Sequence, residues 1–166
     1  MIFGKISPGE SVFVDSNTLI YHFAQDHSFG AASTEFFERI ARGELFGFVS
    51  THILIETSHR LMLLEAQRTF GWPIPGTQRR LHKQPARIRQ LSQFVASIAD
   101  LARSPLTALP ITLQTVLSSN ELAARIGLLS NDALTVAVMQ ENGIANLASH
   151  DSDFDRVPGI KRYGPL

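Results

Sequence analysis

The sequence predicts a single α/β domain in which a mainly parallel β-sheet is sandwiched by α-helices. Three observations lead there. Short, wholly apolar runs such as Val12, Phe13 and Val14 read as strands buried on both faces. Between them lie longer segments whose apolar residues recur at helical spacing. And 166 residues with 44% hydrophobic and 18% charged residues fit one soluble domain that buries roughly 70% of its unfolded surface. The expected unit is 1–166, with a loop and helix elaboration at about 70–104.

The elements follow in order. Val12–Val14 is the first strand, and Asp15, Ser16, Asn17 and Thr18 read as its polar exit. Ser28 is placed to cap a helix through Ala31, Phe36, Phe37 and Ile40 that stops at Gly43, and LFGFVS from Leu45 is the second strand. Thr51 is expected to cap a helix carrying Ile53, Leu54, Leu61 and Leu64. The stretch from Phe70 to Thr77, rich in Gly and Pro, reads as a loop. Pro85 opens a helix expected to run unbroken through Leu101, and LTALPIT is a short strand. Leu113 to Ile126 is helical, Gly127 breaks it, and Ser130 or Asn131 caps DALTVAVMQEN. IANLAS and IKRY complete the strands.

Composition narrows the chemistry. There is no cysteine, which excludes disulfides, zinc-thiolate centres and a cysteine nucleophile. The start lacks the apolar core of a signal peptide and no apolar run approaches the ~20 residues of a membrane span, so the expected location is cytoplasmic, with no membrane partner. Formal net charge is zero, yet from Arg68 to Arg103 the basic residues Arg68, Arg79, Arg80, Lys83, Arg87, Arg89 and Arg103 face only Asp100. That segment reads either as a solvated surface or as a contact for a phosphate backbone, with Arg79, Arg80, Lys83 and Arg87 the candidates.

The acids carry the strongest signal. In ASHDSDFDR, Asp151, Asp153 and Asp155 follow the fourth strand, while Asp15 follows the first. Ligands of open parallel sheets bind beyond the carboxyl ends of the strands, where strand order reverses. If those two strands are neighbours, Asp15 and Asp151 meet at one rim, and Asp132 and Glu56 lie on helices that reach the same rim. Two carboxylates about 4 Å apart repel by roughly 4 kcal/mol at an effective dielectric of 20, so the group needs protons or a cation. Oxygen donors without cysteine suit Mg²⁺ or Mn²⁺ better than protonation, and one or two such ions serve phosphodiester hydrolysis without a side-chain nucleophile.

VDSNTLIY around Asp15, ILIET around Glu56, NDALTVAV around Asp132 and ASHDSDFDRVPGI around Asp151 and Asp153 resemble, in order and spacing, the PIN-domain ribonucleases, the family of VapC-type toxins. The last block matches a Thr-x-Asp-x-Asp-Phe pattern with Ser149 in place of threonine. The resemblance implies a catalytic quartet of Asp15, Glu56, Asp132 and Asp151, with Asp15, Asp132, Asp151 and Asp153 toward metal. Asn17 and Ser149 are implied as supporting or phosphate contacts, and Asp155 as a surface or structural acid. It further implies endonucleolytic RNA cleavage with Mg²⁺ or Mn²⁺, a homodimer and a cognate antitoxin. The segment from about Phe70 to Gln84 departs from the small toxins.

Other readings of the same residues are weaker. An EF-hand fails because Arg156 and Arg162 stand where glycine and glutamate are required. DSNT at Asp15 resembles the Asp-x-Asp-x-Thr of haloacid-dehalogenase phosphatases, but Asn17 replaces the second acid. A non-catalytic PIN-like RNA-binding module is the remaining alternative. His52, Glu56 and His59 share a helix face at i, i+4 and i+7, without the spacing of a zinc protease. Trp72 either stacks on a base or closes a small apolar cluster.

Overall fold

The computed structural model describes residues 1–166. In order the elements are β1 (Ser11–Val14), α1 (Ser16–Phe23), α2 (Gly30–Ala41), β2 (Phe46–Ser50), α3 (Thr51–Phe70), α4 (Thr77–Lys83), α5 (Pro85–Ile88), α6 (Gln93–Arg103), β3 (Thr107–Leu109), α7 (Leu113–Ile126), α8 (Ser130–Glu141), β4 (Asn146–Ala148) and β5 (Lys161–Tyr163). Short 3₁₀ turns occupy Phe3–Lys5 and Ser152–Arg156.

The five strands form one sheet in the order β3-β2-β1-β4-β5, and every pairing is parallel. β1 is central, with Phe13 opposite Phe48 on one side and Leu147 on the other. Val12, Phe13, Val14 and Leu147 are wholly shielded from solvent, as strands covered by helices on both faces must be. The main core joins them to Phe36 and Ile40 of α2, Ile53 of α3 and Val136 and Met139 of α8. Gly47 of β2 permits a close approach, because a Cβ there would lie 2.6 Å from Leu106 and 2.9 Å from Ile40. No single helix is long and apolar enough to cross a membrane.

Several helix starts differ from the sequence reading: in α1 and α3 a different polar side chain takes a free amide of the first turn, while α2 and α8 begin without a side-chain cap. The polar run after β1 is not an exit loop but the opening of α1, capped by Asp15 accepting from Ser16 N and anchored by Thr18 Oγ1 donating to the carbonyl of Ala148. α2 begins at Gly30, and Asp26 rather than Ser28 supplies the carboxylate that accepts from the amides of Ser28 and Phe29. Ser50, one residue before Thr51, caps α3. α8 starts at Ser130 without a side-chain cap.

The unbroken helix expected from Pro85 to Leu101 is two helices. Glu65 of α3, buried, accepts from the amides of Ser92, Gln93 and Phe94, so a new helix starts there. α4 is a further helix, missed because its seven residues carry only one buried apolar side chain, Leu81. Ala66, Leu81 and Leu91 make a small core of their own, against which Phe70, Trp72 and Ile88 pack. Trp72 thus closes an apolar cluster, its ring 4.8 Å from that of Phe70 with Arg80 stacked over it.

Candidate active site

Strand order reverses between β1 and β4: the chain moves from β1 outward to β2 and β3, then returns to β4 on the other side. A crevice opens at such a point beyond the carboxyl ends of the strands. Asp15 is the residue after β1, and Ser149 the residue after β4.

Asp15 is buried, and its oxygens are held on three sides. Ser16 N donates to Oδ1 at 2.7 Å, while Asn17 Nδ2 and Ser149 Oγ donate to Oδ2 at 2.6 and 2.7 Å. Ser149 Oγ also accepts from Asp151 N at 3.0 Å, and Asn17 Oδ1 accepts from His150 N at 3.1 Å. The two strand ends are therefore stitched together through side chains that also orient the first carboxylate.

Asp15, Glu56, Asp132 and Asp151 line one cavity of about 380 Å³, together with Ser16, Asn17 and Arg60. Glu56 enters from the second turn of α3, its Oε1 accepting from Ser16 Oγ at 2.8 Å, with Arg60 and His52 at 3.9 and 4.0 Å from the carboxylate. Asp132 enters from the first turn of α8. Asp151 caps the turn Ser152–Arg156, accepting from Asp153 N at 2.9 Å. Asp153 lies outside the cavity wall and pairs with Arg156. Asp155 is drawn away altogether, both its oxygens accepting from Arg162 at 2.8 Å.

The cavity is costly in charge. Burial pushes Asp15 up to about 6, against the pull of Ser149 and Ser16 and with added repulsion from Glu56 and Asp151. Asp132 rises to about 6 as well, first by desolvation and then by repulsion from Asp151, Asp15, Asp153 and Glu56. Asp15 meets this cost with neutral donors only.

The donor set decides what fits. All four acids offer hard oxygens in a crevice lined mainly by polar side chains, which suits Mg²⁺ or Mn²⁺. No three His, Asp or Glu side chains stand close enough together to enclose an ion by themselves. An ion held here would take some of the carboxylates and fill its remaining positions with water or substrate oxygens, as Mg²⁺ commonly does.

The remaining candidates lie apart. Arg79 faces a groove between α3 and α4 that His59, Met62 and His82 also line. His59 therefore turns from Glu56, so the face of His52, Glu56 and His59 does not act as one site. Arg80 and Arg87 stack over Trp72 and Phe70, and Lys83 ends α4, exposed. Of the cavity residues that the sequence reading did not assign to the site, Ser16 and Arg60 are the two that contact Glu56. Ser16 had its signal in adjacency to Asp15, and Arg60 in its position four residues after Glu56, on the same helix face.

The sequence matches the family model of the PIN domain over residues 12–160. No curated protein gives a significant match. Among solved structures the fold is similar to that of VapC20 from Mycobacterium tuberculosis, a sarcin–ricin loop cleaving toxin, at 19% identity and a TM-score of 0.63, covering 89% of this chain and 95% of that one. It is also similar to VapBC2 from Rickettsia felis bound to a DNA fragment from its promoter (14% identity, TM-score 0.58, 93% and 98% covered). A toxin–antitoxin complex from Klebsiella pneumoniae matches at 18% identity and a TM-score of 0.53, with 93% and 98% covered. The family match runs from β1 to residue 160, just before β5, and so takes in all four acids of the cavity: the chain belongs to the PIN-domain family.

Proposed function

We propose that this protein is a metal-dependent endoribonuclease that hydrolyses RNA phosphodiester bonds, and that it is the toxin of a type II toxin–antitoxin pair. The observation that carries the nuclease reading is the convergence of Asp15, Glu56, Asp132 and Asp151, from four distant stretches of chain, on one polar cavity at the switch point of a parallel sheet. The toxin reading is supported by the proteins that share its fold, one a sarcin–ricin loop cleaving toxin and another a toxin–antitoxin complex.

In this reading one or two Mg²⁺ or Mn²⁺ ions supply positive charge that favours ionisation of an attacking water and offsets charge building on the phosphate. Asp15, Asp132 and Asp151 would face the metal, directly or through its bound water, and Asp153, outside the cavity wall, would add negative charge from the adjacent turn. Ser149 and Asn17 fix the orientation of Asp15. Glu56, held by Ser16, positions the attacking water, and Arg60 on the cavity wall binds the phosphate. Arg79, Arg80, Lys83 and Arg87, in the elaboration at about 70–104, take the RNA backbone further out. The proposed homodimer has its candidate face on α7, where Leu113, Val116 and Leu117 are exposed.

The test is cleavage of a mixed RNA pool by purified protein in Mn²⁺, Mg²⁺ and EDTA, beside Asp132→Asn. Cutting that requires metal and is abolished by the substitution is the expected result. Absence of cutting with no rise in melting temperature on adding metal would overturn the reading. Growth arrest on expression, relieved by the product of a neighbouring gene, tests the toxin role.

A further inference from the structure

Beside the acid cavity stand three rings that no hydrophobic core claims. The imidazole of His150 lies 4.6 Å from the ring of Phe29, tilted by 39°, and 6.1 Å from Tyr21 in an edge-on arrangement; Tyr21 and Phe29 are themselves 4.9 Å apart. Tyr21 belongs to α1, Phe29 directly precedes α2, and His150 follows β4. None of the three packs into the main core or its two satellites. His150 is exposed and the other two are half-buried.

The position of this stack is set by the cavity's own residues. His150 lies between Ser149, which holds Asp15, and Asp151, which lines the cavity. Its amide is pinned by Asn17 Oδ1 at 3.1 Å. Tyr21 is four residues after Asn17, one helical turn along the same face of α1. The stack thus adjoins the cavity through the chain: His150 is flanked by Ser149 and Asp151, and Asn17 bonds both its amide and the Asp15 carboxylate. Exposed aromatic and imidazole rings beside a polar crevice fit the face of a nucleobase, since bases splayed from single-stranded RNA stack on such side chains.

We propose that Tyr21, Phe29 and His150 form a base-stacking shelf that holds the nucleoside next to the scissile phosphate, with His150 in contact with the base and the other two rings supporting it. This rests on the nuclease reading above and names the substrate it takes: single-stranded or unpaired RNA, gripped by one base face and tolerant of base identity.

The test uses the full chain carrying Asp132→Asn, to stop cleavage, and fluorescence anisotropy with two probes of equal length, a labelled oligo(A) and a labelled abasic ribose-phosphate oligomer. His150→Ala is expected to weaken oligo(A) binding on the order of tenfold, the loss of one stacked base. It should leave the abasic probe unchanged, and His150→Phe should restore oligo(A) binding while melting with the parent. Unchanged oligo(A) binding in His150→Ala overturns the shelf. So does equal weakening of both probes, which marks a displaced loop, or failure of the parent to bind oligo(A). Cleavage by the otherwise wild-type chain in Mn²⁺ separates the two ideas. RNA cut normally by His150→Ala, with unchanged oligo(A) binding, sinks only the shelf; an uncut pool with selective loss of oligo(A) binding sinks the nuclease and leaves the shelf as a binding site.

Discussion

The acid cavity and the basic segment on α4 and α5 are both dense in charge, but they are built in opposite ways. The basic residues are neighbours in sequence, Arg79 to Arg89, and Arg79, Lys83, Arg87 and Arg89 are exposed. The acids lie far apart in sequence, and the cavity brings Asp15, Glu56, Asp132 and Asp151 together with burial that moves Asp15 and Asp132 up to about 6. Water screens a surface run of like charge, whereas desolvated like charges disfavour ionisation and so call for protons or a cation. One region is a screened surface run; the other carries a charge cost that protons or a small cation would relieve.

The comparison breaks most sharply at Asp132. Asp132→Asn is expected to reduce RNA cleavage by ~10²–10³-fold or more, yet to raise stability in EDTA. The sign follows from linkage. A folded-state pKa near 6, against an ordinary 3.8, means the folded chain holds the proton more tightly, so this carboxylate's contribution is intact below the ordinary value and lost as the pH rises through about 6. The variant should melt above wild type at pH 8 without metal, and the gap should close at pH 4. A variant that melts lower at pH 8 shows that Asp132 is not repelled in the cavity.

Ser149→Ala comes next. It removes one of the two side-chain donors to Asp15 Oδ2, and loss of such a supporting contact is expected to lower cleavage or metal affinity by roughly 10–100-fold. Metal titration followed by melting temperature measures it directly. An unchanged affinity would mean that Asn17 alone orients the carboxylate.

On the basic side the effect is smaller and of another kind. Replacing Arg79 and Lys83 together by alanine is expected to flatten the dependence of log affinity on log salt by about 1.4, two single-strand contacts at ~0.7 each, with little change in cutting at saturating RNA. A slope that does not move removes these residues from the RNA path. Smallest of all, Asp155→Asn should leave cleavage alone and lower the melting temperature slightly. Arg162 holds Asp155 at the surface and depresses its pKa, so that pair's contribution is present at neutral pH and fades only as acid protonates the carboxylate.

Much of the scaffold was legible in the chain. Val12–Val14 lies in a strand because an apolar run of that length has no polar face to offer solvent, IANLAS contains the strand Asn146–Ala148, and Leu113–Ile126 ends at Gly127 because the chain turns left-handed there, at φ 78°. Asp15, Asp132 and Asp151 were nameable because each follows a strand or opens a helical turn, and Glu56 by its place in the ILIET block. What escaped were starts and breaks decided at a distance. Glu65 divides the helix after Pro85 from 27 to 29 residues away, and Asp15 turns an apparent loop into α1 with help from the carbonyl of Ala148.

By itself the sequence determined the α/β class, the strands and the identity of the acids, because hydrophobic periodicity and residue chemistry act over a few neighbours. Only the tertiary structure decided that β1 and β4 lie side by side, that Asp151 faces the cavity while Asp153 and Asp155 are taken by Arg156 and Arg162, and that Arg60 and Ser16 join Glu56. Those outcomes depend on distance, burial and dielectric, which are set only once the segments are packed: β1 and β4 meet across more than 130 residues, as the Asp15–Ser149 separation of 134 shows, and Ser16 meets Glu56 across 40.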